Sequence, residues 1–344
     1  MRYLVFTIIF MVVTYLAATM LMKLTKVRKL KNIEPLSKNT TDVCKGIAIL
    51  IIMLSHIGNE FGVRYLTPLG SLGVGIFLCL SAYGLEISTH KSGLKGYWIK
   101  RILTAWLPYA LTEIIGVILC VTPEYANLRI YDMALDLLLI RTIHPFGWYM
   151  QCLFLYYIAF YLSHRIFNGN KIWKYAVLSI AAIGMFVFFR SLFKQQLFAF
   201  IAGVIIADHT KLREKINSPL NGVIAFVFGV VCLILRQTHY VRQLKWIYES
   251  LFAFQVVLIA MGVIILVGWL CANTKTVFYE VALSLGVISY EVYLYHGWVY
   301  QWISTFSMSY ARIIIFFLLS ILISIPVYIG KSKLIAILKG KLLS

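Results

Sequence analysis

A succession of apolar runs, each close to the length of a bilayer crossing and separated by short basic segments, leaves this chain few ways to fold. Inside hydrocarbon every backbone N–H and C=O must be satisfied within the segment, so runs of this length cross as helices. Composition agrees, with 61% hydrophobic residues, 13% charged and a mean hydropathy of +0.85. A soluble domain carries about a quarter charged residues. The expected fold is therefore all-α, a polytopic transmembrane helical bundle of about 11 spans.

The first span is expected at 3–22, the second at 43–58, and the others at about 70–87, 99–121, 147–163, 175–191, 196–208, 220–236, 250–271, 284–304 and 311–330. The net charge of +19 suggests nucleic acid at first sight. The basic residues, however, fall in clusters between apolar runs, which is the signature of membrane topology and not of a nucleic-acid face. Clusters at 23–45, 91–101, 165–174, 211–215 and 331–341 place those segments in the cytosol, the N-terminus outside and the C-terminus inside. Because Lys23, Lys26, Arg28, Lys29 and Lys31 follow the first run directly, 3–22 is expected to be an uncleaved helix and not a removed signal peptide. Residues 1–40 then form an N-terminal helix with a basic linker, and 41–344 the main membrane domain. The six cysteines lie mostly in apolar runs without metal-ligand spacing, so buried thiols are expected, with neither disulfides nor a metal site.

Several side chains within or beside the runs have chemistry to offer. Asp42 and Lys45 stand at the entrance of the 43–58 run, and Ser55-His56 near its far end. Eleven residues of helix turn about 1100°, roughly 20° from whole turns, and rise roughly 16 Å. Lys45 and His56 therefore share a face, the cation at headgroup depth and the imidazole inside. The first can hold phosphate and the second can move a proton. A lone membrane histidine that merely hydrogen-bonds a neighbouring helix is the bland alternative. Ser289, Tyr293 and His296 follow i, i+4, i+7 spacing on another run. Both histidines sit about a dozen residues from the cytosolic ends of their helices, as two walls of one cavity would. Glu113 and Glu291 are the acids expected within spans, where a carboxylate needs a basic partner or a raised pKa. Ser81 has no local base, which argues against a serine nucleophile. Trp148 and Tyr149 suit an aromatic belt as well as a cavity wall. Lys100 and Arg101 open an outward-running helix, where positive-inside topology alone would also place cations. The 122–146 segment is expected outside, with a short interfacial helix at 130–140.

Taken together these stretches resemble the integral-membrane acyltransferase family 3, the bacterial O-acetyltransferase type. The family's Arg/Lys-x10-His pattern is matched by Lys45 to His56, and its Phe-Phe-x-x-Ser-Gly-Phe segment by Phe77-Leu78-Cys79-Leu80-Ser81-Ala82-Tyr83. Its Arg-x-x-Arg segment before a proline corresponds to Arg101-Ile102-Leu103-Thr104 leading to Pro108, preceded by Lys100. Trp148-Tyr149 and Ser289 to His296 complete the series over roughly 40–330. Lys45 stands for the commoner arginine, Thr104 for the second basic residue and Ala82 for the glycine.

The resemblance implies a ten-helix core and transfer of an acyl group, usually acetyl from acetyl-CoA, to a hydroxyl of a cell-surface glycan or its lipid-linked precursor. No cofactor is permanently bound, and the location is the bacterial cell membrane. The catalytic residues would be His56, as general base or transient acyl carrier, with Lys45 and Asp42 at the other end of its helix. Lys45, Lys100 and Arg101 would hold the CoA phosphates. Ser55, Ser81, Trp148, Tyr149, Ser289, Tyr293, His296, Glu113 and Glu291 would line the cavity. A transporter or flippase for a lipid-linked sugar, or a non-catalytic scaffold in a glycan-assembly complex, also accommodates many helices with buried ionisable groups.

Overall fold

The computed structural model describes residues 12, 36–63, 66–188, 196–216, 218–273, 277–305 and 310–342. The expected first span at 3–22 and the following basic linker lie outside the described residues, apart from Val12 and the linker's last positions. The described residues are mostly helical, with no strand among them. We label α1 (Lys38–Glu60), α2 (Thr67–Ser92), α3 (Tyr97–Leu119), α4 (Ile130–Leu137), α5 (Trp148–Phe167), α6 (Lys171–Phe188), α7 (Phe198–Asp208), α8 (Pro219–Gln237), α9 (His239–Gln243), α10 (Lys245–Asn273), α11 (Val277–Val287), α12 (Ser289–Ser304) and α13 (Ala311–Leu342). Short turns of helix at Pro123–Ala126 and Thr210–Ile216 connect them. Among the described residues seven helices are long and apolar enough to cross a membrane, so the protein is an all-α polytopic membrane protein.

Three expected boundaries change. α1 begins at Lys38, five residues before the expected start, because Ser37 caps it and accepts the Thr40 N–H at 3.4 Å. Asp42 and Lys45 consequently lie inside the helix and not at its mouth. The single span expected at 284–304 is two helices, α11 and α12, broken at Ile288. α13 continues to Leu342 through Pro326, well past the expected end at 330. Burial of the thiols also divides: Cys44, Cys79, Cys152 and Cys271 are buried, whereas Cys120 is exposed at the end of α3 and Cys232 is partly so.

The chain forms two compact units. One contains 95–151 and 288–344, hence α3, α4, α12 and α13, and the other contains 26–94 and 152–287. In the second unit α1 lies against α2 and α11, while α10 packs on α8 and also touches α1, α2 and α7. Two glycines set the α1–α11 distance. A Cβ at Gly46 would lie 1.8 Å from the Ala282 carbonyl oxygen, and one at Gly286 would lie 1.7 Å from that of Asp42. The backbones therefore touch, as small residues permit in membrane helix pairs. At the periphery α6 and α8, though apolar along their length, bury only 22% and 17% of their spanning stretches. Their remaining surface faces lipid.

Gly46→Ala and Gly286→Ala are each expected to destabilise the detergent-solubilised protein by about 1–3 kcal/mol, since neither carbonyl can move without shifting a helix. Gly84→Ala, with open space around the added methyl, is the matched control. Thermal unfolding of the three variants checks this, and equal midpoints would refute it.

Candidate active site

α1 carries the leading candidates. Asp42 and Lys45 form an ion pair at 2.9 Å across one helical turn, with the Lys45 side chain about one-third exposed. His56 lies three turns further along and is half-buried. Ser55 does not lean toward it: its hydroxyl donates to the Thr67 carbonyl at 3.0 Å and ties α1 to the start of α2. Ser81 is half-buried on α2.

Lys100 and Arg101 close the first turn of α3 and are followed at once by a π-helical turn, Ile102–Trp106. Thr104 donates its hydroxyl to the Lys100 carbonyl at 2.6 Å inside this turn. Where the Arg-x-x-Arg pattern has a second cation, this chain thus has a hydroxyl engaged with its own backbone. π-turns tend to mark functional positions because the widened register re-aims side chains. Arg101 stands over the Tyr97 ring at 5.9 Å from the centroid.

The unit of α3, α4, α12 and α13 gathers five of the residues expected to line a cavity, His296, Tyr293, Tyr149, Trp148 and Ser289. His296 is fully buried, stacked on Phe146 with centroids 4.7 Å apart and planes within 3°. Tyr293 donates to the Phe146 carbonyl at 3.1 Å and packs on Tyr149 at 5.0 Å, and Trp148 meets Tyr149 edge-on. Tyr149 and Tyr293 are buried, so they belong to the interior and not to a solvent-facing aromatic belt. Ser289 is buried at the head of the same helix. Gly297 makes room for this packing, because a Cβ there would meet Phe146 at 2.8 Å and His144 at 3.1 Å.

The two expected intramembrane acids find partners that spacing alone does not reveal. Glu291 pairs with Lys331, supplied by the unexpectedly long α13. Glu113 accepts from the Tyr125 hydroxyl at 2.7 Å and shares a hydrogen bond with Asp136 of α4. Two carboxyl groups bond each other only when one holds a proton. Asp136 also accepts from Tyr109 and from the Ile143 N–H, both at 2.8 Å. Burial is the leading influence on Asp136 and pushes its carboxyl above the ordinary range. The 122–146 segment is thus packed at Tyr125, Asp136 and His144, and is more than a solvated connector.

His144 shows its protonation state by its partners. Its Nε2 lies 2.6 Å from the Leu294 carbonyl, which only accepts, and its Nδ1 lies 3.1 Å from the Phe146 N–H, which only donates. The imidazole is therefore neutral with its proton on Nε2. Burial accordingly holds its pKa down at about 4.

A further cluster escaped the sequence reading altogether. Glu86, a third acid within a span, is fully buried on α2 and accepts from Lys174 at 2.8 Å. Lys174 also reaches Asp208 at 2.5 Å, and His90 bridges the two carboxylates at 2.9 and 3.1 Å. Tyr175 donates to Asp208 at 2.7 Å, and His164 lies 3.3 Å from Glu86. The Glu86, His90 and Asp208 ligand atoms fall within 4.8 Å of one another, and the Lys174 ammonium supplies the positive charge there. No single sequence motif links these residues, because they come from α2, α5, α6 and α7.

These features define an α-helical membrane protein with an imidazole and a cation on one face of a single spanning helix. The chain matches the acyltransferase-domain family over residues 39–329, more than half its length, and it belongs to that family, acyltransferase family 3. It is accordingly an acyltransferase. No curated protein and no solved structure matches it.

Two predictions follow from the buried charges. Lys174→Met strands two carboxylates and is expected to cost about 3–5 kcal/mol, with partial recovery on adding Asp208→Asn, measured by thermal unfolding in detergent. His144 is held neutral below its ordinary 6.5, so the unfolded chain binds the extra proton first. Stability of the 120–147 segment is then full above pH 6.5 and falls by about 3 kcal/mol as pH drops toward 4. Hydrogen exchange should show this segment opening earlier than α10 on acidification, and His144→Gln should flatten the effect.

Proposed function

We propose that this acyltransferase moves an acetyl group from cytosolic acetyl-CoA to a hydroxyl of a cell-surface polysaccharide or lipid-linked glycan at the bacterial cell membrane, N-terminus outside and C-terminus inside. The observation that carries the reading is the placement of Lys45 and His56 on one face of the unbroken helix α1 in a chain of this family. Helical rise separates them by roughly 16 Å, a span suited to an extended anionic cofactor with its phosphates at one end and its acyl group at the other.

In the direct route the acceptor oxygen attacks the thioester carbonyl and His56 takes the hydroxyl proton. The tetrahedral intermediate then expels the CoA thiolate, which recovers the proton, giving the O-acyl ester and free CoA. In the two-step route the imidazole nitrogen accepts the acyl group, releases CoA as the thiol, and passes the acyl group to the acceptor. Asp42 holds Lys45 in place through the 2.9 Å ion pair. The ammonium keeps its remaining donors for phosphate. Trp148, Tyr149, Ser289, Tyr293 and His296, with Glu113 and Glu291, serve the acceptor in this reading. Ser55 contributes by fixing the helix that carries His56.

NMR of O-acyl groups on the host's surface glycan tests the reading, comparing wild type, deletion, His56→Ala and Lys45→Ala at matched protein levels. Deletion is expected to remove one O-acyl signal without changing glycan amount, and His56→Ala to lower the acylation rate by roughly 10²–10⁴-fold. Lys45→Ala should act mainly at low acetyl-CoA. Full acylation in His56→Ala, or loss of the glycan itself on deletion, would overturn it.

A further inference from the structure

The π-helical turn Ile102–Trp106, directly after Lys100 and Arg101, has a local cause. Pro108 follows it. Proline brings no N–H, and its ring crowds the carbonyl four residues earlier, that of Thr104. Widening the backbone by one residue relieves the clash. One extra residue amounts to about 100° of rotation, so the widened turn decides which way Lys100 and Arg101 face relative to the rest of α3. Both side chains are partly exposed.

Three successive residues of the turn are each engaged by a hydrogen bond. Thr104 donates to the Lys100 carbonyl at 2.6 Å, and the Trp106 indole donates to the Leu137 carbonyl at 2.8 Å. Between them the Ala105 carbonyl accepts from the Tyr290 hydroxyl at 2.6 Å, a bond that arrives from α12 across 185 residues of sequence. Tyr290 is itself held in place. The Met150 sulfur lies 3.1 Å from its oxygen, and the Lys331 ammonium lies 5.9 Å from the centre of its ring. Lys331 also stands over the Tyr328 ring at 5.3 Å and pairs with Glu291, the residue after Tyr290. All these residues belong to one compact unit. The single hydroxyl proton of Tyr290 is committed to the backbone, so the phenol has none to give to a reacting group. Its effect on the turn is mechanical.

We infer that Tyr290 is a positioning residue of the transferase: by holding the Ala105 carbonyl it keeps the π-turn open and so aims Lys100 and Arg101 at the acyl-CoA phosphates. The inference rests on the acyl-transfer function proposed above, with Lys100 and Arg101 as phosphate ligands, and adds that their aim is set from α12. Tyr290→Phe keeps the ring beside Lys331 and removes only the donor to Ala105. Acyl-CoA binding then weakens while turnover of the bound cofactor stays the same.

The test is the KM and kcat of O-acyl transfer in membranes holding the full-length protein and the host's glycan, with radiolabelled acetyl-CoA varied and rates divided by the amount of folded protein. Tyr290→Phe is expected to raise KM for acetyl-CoA roughly fivefold and to leave kcat within about twofold. The Lys100→Ala, Arg101→Ala double variant should raise KM by itself, and adding Tyr290→Phe should raise it no further, because all three act through one contact. Tyr156→Phe, which removes a comparable hydroxyl bond to the Leu197 carbonyl at 2.7 Å, is the matched control and should change neither constant. An unchanged KM in Tyr290→Phe, a fall in kcat alone, or a KM effect that adds to that of the double variant would overturn the inference and leave the phosphate reading standing. An unchanged KM in the double variant would overturn the phosphate reading and the inference with it.

Discussion

The placement of the candidate catalytic helix depends on a contact made by two missing side chains. α1 reaches α11 so closely that the Ala282 and Asp42 carbonyls occupy the space where Cβ atoms of Gly46 and Gly286 would stand. Lipid tails are as apolar as leucine, so helices in a membrane gain little from simply hiding apolar surface from one another. Close backbone approach, with its dense dispersion contact, takes the place of that driving force. The same contact fixes the rotation of α1 about its axis, and with it the direction in which Lys45 and His56 face.

Charge is treated differently in the two units. In one, Glu86, Asp208, Lys174 and His90 join α2, α6 and α7 through a buried ionic cluster whose cation is a lysine. In the other, Glu113 and Asp136 are joined by a proton, and Tyr109 and Tyr125 donate to their remaining oxygens. An ammonium between two carboxylates tolerates neutral pH as it stands, whereas two facing carboxyls require one neutral partner. The first arrangement leaves Glu86 Oε2 orphaned, and in the second Glu113 Oε1 and Asp136 Oδ2 have no donor other than the shared proton. The latter two belong to the pair that shares the proton.

For acyl transfer the consequence is a division of labour along α1. Its first turns are polar and hold the Asp42–Lys45 pair, its middle is buried and apolar, and His56 emerges beyond that stretch. Extension of the helix to Lys38 places the ion pair on rigid backbone, so a phosphate held by Lys45 would be registered against His56 by helix geometry alone.

Much of this was legible beforehand. Apolar length alone requires membrane helices, the Lys45-to-His56 spacing requires a shared face, and the motif order identifies the family that the match over 39–329 establishes. What remained hidden involves partners far apart in sequence. Lys331 reaches Glu291 because α13 does not stop at the expected boundary, and Lys174 reaches Glu86 from a segment read only as a basic cluster. Periodicity is a local property, so it fixes which face of a helix a residue occupies. It carries no information about which other helix end supplies the counter-charge, and at Ile288 an unbroken hydropathy signal concealed a break that only tertiary packing decides.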